Sequence, residues 1–225
     1  MDTGFRLFSP LHLAILASTL ALPWLAARWA RGRPAARWVR TAAGAALGLN
    51  ELGWYWFRVS HEGFRFPEGL PLQLCDVSLW LAVFAGLTAR RGVLELGWYW
   101  GVAGASMALI TPDLWAPCWT YPTIYFFGAH CGMVAIFLYL PWSGEARPRP
   151  GSERRAFLWL LVFAAALGAF NGVFGTNYMY LCTKPGGASL LDWFGPWPVY
   201  LLPGALLGAA LFWLLGLPWR KPAQG

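Results

Sequence analysis

Cys75 and Asp76 stand side by side near the start of LPLQLCDVSLWLAVFAGL (70–87), a stretch otherwise apolar enough to be a membrane-spanning helix. Other apolar runs carry His12, Glu51 and, in YFFGAHCGM, His130. A thiol, an imidazole and an acid are the parts of nucleophilic acyl chemistry, because the thiolate is the reactive form and needs a nearby base to exist in an apolar site. The members of such a set come from distant segments, so no sequence spacing identifies it. The same residues would also suit a ligand pocket or a permeation path. A metal centre is disfavoured, since there is no i,i+4 histidine pair and no cysteine pair at zinc spacing. No cofactor is expected.

The segments that must position these groups follow from composition. Of 225 residues, 58% are hydrophobic and 12% charged, and 16 are Trp. Such a chain has too little polar surface to cover a soluble globule. The net charge of +7 does not point to nucleic acid, because the basic residues fall in the gaps between apolar runs. That placement is a membrane-topology signal.

Seven runs are long enough to cross about 30 Å of hydrocarbon: Leu7 to Trp29, Trp38 to Arg58, Leu70 to Ala89, Gly92 to Ile110, Tyr121 to Trp142, Ala156 to Thr176 and Pro198 to Trp219. The first lacks a basic start and a small-residue cleavage site and reads as a retained span. Thirteen Lys and Arg, from Arg28 through Arg40, Arg90, Arg91 and Arg147 to Lys221, fall on one side, and four (Arg6, Arg58, Arg65, Lys184) on the other. The positive-inside rule puts the N-terminus outside and the C-terminus inside. The expected architecture is therefore all-α: one polytopic domain over residues 1–225, with seven transmembrane helices in the cell membrane. The gap SGEARPRPGSERR (143–155) reads as a solvated inner loop with a basic rim at anionic headgroups. ELGWYW occurs twice, at 51–56 and 95–100, with unmatched flanks, and Glu95 is expected to pair with Arg91 one turn away.

At 1.5 Å per residue, His12, Glu51, Cys75, Asp76, His130 and Asn171 lie roughly 8–13 Å below the outer boundary, with Asp113 and Asn177 near it. A shared depth in separate spans suggests one polar cavity in the outer half. Each residue also has a plainer reading. An intramembrane His is often an interhelical strut, a Cys a small buried hydrophobe, and Asn50, Asn171, Thr111 and Ser78 interhelical hydrogen bonders. Glu51 and Asp76 are harder to set aside, because a buried carboxylate needs a partner or a proton. Cys131, about 100° around the helix from His130, cannot point to the same spot.

Five strings, LFSPLHL (7–13), LPLQLCDVSLWL (70–81), LITPDL (109–114), FFGAHCG (126–132) and GTNYMYLCTKPGGASLLDWFGPWPVY (175–200), carry a resemblance. They are similar to the bacterial YwaF-like integral membrane proteins, related to the eukaryotic transmembrane protein 164 family. The likeness covers all but the second span and the two inner loops. It implies a seven-span fold and, from the eukaryotic branch, an acyltransferase that moves acyl chains onto lyso-ether phospholipids with a Cys. By motif position the nucleophile would be Cys75 and the base His130. The bacterial pattern often has His two residues before the Cys, where this chain has Gln73, which removes one candidate base.

The expected function is thus lipid acyl transfer or hydrolysis at Cys75 and His130, with Asp76 or Glu51 orienting the His and His12, Glu51, Gln73, Asp113, Asn171 and Asn177 contacting substrate. The alternative is a transporter or receptor-like protein binding a small polar or cationic ligand in the same cavity. Membrane lipids are the expected partners. If any disulfide exists, the topology leaves Cys118 to Cys182, both in outer loops.

Overall fold

The structure is a computed structural model and describes residues 4–186 and 189–220. Lys221 lies outside them, as do two residues of the 175–200 string. The described residues form seven α-helices: α1 (Pro10–Ala30), α2 (Ala35–Glu62), α3 (Leu74–Thr88), α4 (Arg91–Ile110), α5 (Tyr121–Ser143), α6 (Ser152–Phe174) and α7 (Leu201–Gly216). Two short 3₁₀ turns, Tyr178–Tyr180 and Leu190–Phe194, lie between α6 and α7, a third, Leu217–Trp219, follows α7, and the described residues contain no strand.

Five segments, α1, α4, α5, α6 and α7 with its terminal turn, are long and apolar enough to cross a membrane. The other two differ for distinct reasons. At 28 residues α2 is long enough, but it carries Arg37, Arg40, Glu51, Arg58 and Glu62. Its buried side is a stripe of Gly44, Leu47, Gly48, Glu51 and Trp54. By contrast α3 is apolar but has only 15 residues, about 22 Å of helix. Its expected start at Leu70 is corrected to Leu74: residues 70–73 are extended or turned, and Gln73 caps the helix in a reciprocal capping box with Asp76.

The core centres on α5, which packs against α1, α2, α3 and α4, with α6 and α7 against α4. Small residues set the closest crossings. Gly44 of α2 meets Gly86 of α3 so closely that a Cβ on Gly86 would lie 2.8 Å from the Gly44 Cα. On α4, Gly97 and Gly101 make room for the fully buried ring of Phe137 from α5.

Cross-links define two ends. At one, Arg40 pairs with Glu145 at 2.5 Å and Arg31 donates to the Trp142 carbonyl. There too Arg149 grips Glu95 at 2.6 and 2.8 Å, and Arg220 reaches Glu153. The expected Glu95–Arg91 pair is corrected by these contacts: Glu95 takes Arg149 from the α5–α6 loop and Arg155 from α6. The segment 143–155 is therefore strapped to α2 and α4, with Ala146 buried. At the other end the His12 ring bonds the Leu109 carbonyl and Tyr178 ties the α6–α7 connection to the α2–α3 loop. Successive helices thus alternate in direction, and most of the arginines collect at the first end.

Candidate functional site

A cavity of about 630 Å³ opens at the less basic end. The first turns of α3 supply Cys75 and Asp76 to its lining, with Gln73 just ahead of them, α5 supplies Tyr125 and His130, and the α4–α5 loop supplies Asp113. A buried His beside a carbonyl of its own helix has its tautomer set by that bond. Here Nδ1 of His130 lies 2.8 Å from the Phe126 carbonyl, so Nδ1 carries a hydrogen, and in the neutral ring Nε2 is the nitrogen that can accept a proton. The backbone therefore orients His130, the task expected of Asp76 or Glu51. Asp76 instead accepts the Gln73 backbone N–H at 3.0 Å, as a helix-capping carboxylate.

Glu51 lies behind the cavity wall. It is fully buried and accepts a 2.6 Å bond from the Tyr125 hydroxyl. The rings of Trp54 and Tyr125, stacked with centroids 4.3 Å apart, stand on the cavity side. The second carboxylate oxygen of Glu51, Oε1, has no well-formed hydrogen bond. His12, also fully buried, has both ring nitrogens engaged. Nδ1 accepts from Phe8 N–H at 2.9 Å and Nε2 donates to the Leu109 carbonyl at 2.7 Å, pinning the start of α1 to the end of α4. Cys131 points away from the cavity and accepts from the Thr19 hydroxyl of α1 at 3.1 Å.

Asn171 and Asn177 also lie outside the cavity lining. Asn171 bonds the Tyr178 N–H and carbonyl and the Thr176 hydroxyl. Asn177 closes the next turn onto Cys182 and Thr183. Their work is to shape GTNYMYL into a cover for the site. From that cover the Met179 N–H reaches Gln73 Oε1 at 3.1 Å, and Tyr178 donates toward the carbonyls of Pro67 and Leu70. Tyr180 lines the cavity itself, where burial and then the nearby Asp113 push its phenol up, so it is a neutral donor.

Sequence reasoning overlooked Arg58, counted only toward topology, and the aromatic walls Trp54, Trp115, Tyr125 and Tyr180. The position of Arg58 one turn beyond Trp54 on the buried side of α2 was the available signal. Cys118 and Cys182, the pair the topology left for any disulfide, are not bridged: all four cysteines are free. The Cys182 backbone is held instead by Asn177, so the turn has a closure that needs no disulfide.

The described residues contain no cluster of three or more His, Cys, Asp or Glu fit for a metal ion. No curated protein and no solved structure matches the chain. A family model does, over residues 7–216. That span includes every helix and every residue of the cavity, and the chain is a membrane protein of the TMEM164 family.

Proposed function

We propose that this protein is a membrane-embedded acyltransferase, or acyl hydrolase, acting on a lipid, with Cys75 as nucleophile and His130 as base. The observation that carries the reading is that both residues line one cavity while the Phe126 carbonyl engages Nδ1 of His130, which leaves Nε2 as the base nitrogen of the neutral ring. In the first half-reaction Nε2 takes the Cys75 proton and the thiolate attacks the donor ester carbonyl. The donor alcohol then leaves with the proton from His130, and the acyl group remains as a thioester. In the second, a lyso-lipid hydroxyl gives its proton to Nε2 and attacks the thioester, releasing the acylated lipid; the Cys75 sulfur takes the proton back. Water in place of the hydroxyl gives hydrolysis.

The same reading places all seven helices across the cell membrane as a single domain, N-terminus outside, so that the cavity opens in the outer half. The collection of arginines at the opposite end supports that orientation. The 15-residue α3 fits a span whose first part is the non-helical segment 70–73 leading into Cys75.

The test is intact mass spectrometry of the purified protein after incubation with a phospholipid donor. A hydroxylamine-labile acyl adduct is expected on the wild type and none on Cys75→Ala, with turnover about 10²–10⁴-fold slower in His130→Gln. Lipid turnover unchanged in Cys75→Ala sinks the proposal.

One observation favours a second reading, a carrier or receptor for a small cationic ligand. Four carboxylates, Glu62, Glu68, Asp76 and Asp113, line the cavity against the single Arg58. Uptake or binding of such a ligand that survives Cys75→Ala would favour it.

A further inference from the structure

A second hollow lies against another face of α5. There α1 and α2 diverge, each packed on α5, and leave a groove of about 410 Å³. Gly128 and Gly132 floor it, and Leu22 of α1 with Ala43 and Ala46 of α2 form walls. Its charged and amide side chains come only at the ends, Arg40 at one and Asn50 at the other. The ten residue steps from Arg40 to Asn50 span about 15 Å of helix, half of the roughly 30 Å of bilayer hydrocarbon. The groove thus has the depth of one leaflet.

Its surroundings decide the occupant. The adjoining faces of α1 and α2 expose Leu25, Leu49 and Leu52, as helices bordering lipid do. An extended peptide or polar solute laid along such a slot would leave its polar groups unsatisfied, whereas a hydrocarbon chain would not. The Arg40 end meets the α1–α2 turn, where guanidinium groups rest on indoles: Arg28 on Trp24, Arg33 on Trp29 and Arg37 on Trp38, at 4.9, 5.4 and 5.2 Å. Arg31 and Arg40 are committed to carbonyl or carboxylate partners. Arg33 and Arg37 are exposed and make no ion pair among the described residues. Guanidinium groups so placed suit a phosphate.

We propose that this groove binds one anionic phospholipid, its phosphate at Arg33 and Arg37 and one acyl chain running along α2 towards Asn50. The site is separate from the Cys75 cavity and does not depend on what that cavity does. It gives α1 a lipid partner along the flank where α2 draws away.

Native mass spectrometry of the full-length protein in detergent micelles tests it, by titration with phosphatidylglycerol and with phosphatidylcholine of the same chains. Phosphatidylglycerol is expected to bind at least about tenfold more tightly. Ala46→Trp, which fills the groove from an exposed position, should weaken phosphatidylglycerol at least about tenfold, a change of about 1.4 kcal/mol. The double substitution Arg33→Gln, Arg37→Gln, at two exposed sites, should bring phosphatidylglycerol down to the level of phosphatidylcholine. Far-UV circular dichroism and an unfolding midpoint matching wild type establish that each variant is folded, and Ala43→Phe replaces Ala46→Trp if that variant is not. Equal affinity for the two lipids in the wild type overturns the proposal, as does unchanged phosphatidylglycerol binding in a folded groove-filling variant.

Discussion

Glu51 has two carboxylate oxygens, no exposure, and one well-formed hydrogen bond, from Tyr125. A buried acceptor left without its donor costs about 1–3 kcal/mol, more when charged. Tyr125→Phe should therefore destabilise the protein by at least about 1–3 kcal/mol. Combining it with Glu51→Leu, which removes the orphaned group, should recover part of the loss. Thermal unfolding of the two variants in one detergent checks the order, and a double variant no better than Tyr125→Phe would contradict it. Residue types alone singled out Cys75, His130, Glu51 and His12. They could not separate the residues that line the cavity from those behind it, because a satisfied strut such as His12 and a cavity residue such as His130 look alike in sequence. What distinguishes them is the partner of each ring nitrogen, and Leu109 lies 97 residues from His12.

At the scale of elements, the apolar runs gave the helix centres, and the ends moved. The start of α3 shifted by four residues because Gln73 and Asp76 form a cap, while α2 ran on to Glu62 through polar residues that one exposed face tolerates. The two ELGWYW copies show how little a hexapeptide decides. In α2, Trp54 forms part of the cavity wall and Glu51 lies behind it. In α4, Glu95 holds Arg149, while Trp98, Tyr99 and Trp100 bond Leu215, Ser152 and Ala156 of the neighbouring helices. Glycines separate in the same way. A Cβ on Gly86 would face backbone that cannot swing aside, so Gly86→Ala should cost about 1–3 kcal/mol as overpacking. Gly168 of α6 has nothing within 4 Å of its would-be Cβ, and Gly168→Ala should gain up to about 1 kcal/mol from helix propensity. Unfolding midpoints that move in the same direction for both would refute the distinction.

Over the whole molecule, the alternation of helices was legible from where basic residues fall between apolar runs. The strapping of 143–155 was not, since its composition is that of a solvated loop and only the buried Glu95 opposite reveals the contact. Glu95→Gln removes the charge that holds Arg149 and Arg155. Limited proteolysis by an arginine-specific protease that accepts Arg–Pro bonds should then cut within 147–155 faster than in the wild type, while Glu62→Gln, on the exposed rim of the other end, should leave that rate unchanged. Equal cleavage in the Glu95→Gln and wild-type proteins would show the strap to be dispensable.

The ion pairs are unevenly shared between the ends. At the arginine-rich end they connect different helices or their loops: Arg40 to Glu145, Glu95 to Arg149 and Arg155, Glu153 to Arg220. At the cavity end the two pairs among the described residues are local, Arg58 to Glu62 within α2 and Lys184 to Asp192 within one connection. There the links between segments, Tyr178 to Pro67 and Leu70, Met179 to Gln73 and His12 to Leu109, are neutral. The bundle is built like a book with a charged spine and an unbound fore-edge. Any breathing wide enough to admit a ligand to Cys75 should begin at the fore-edge and keep nearly the same amplitude as salt is raised, while the spine loosens.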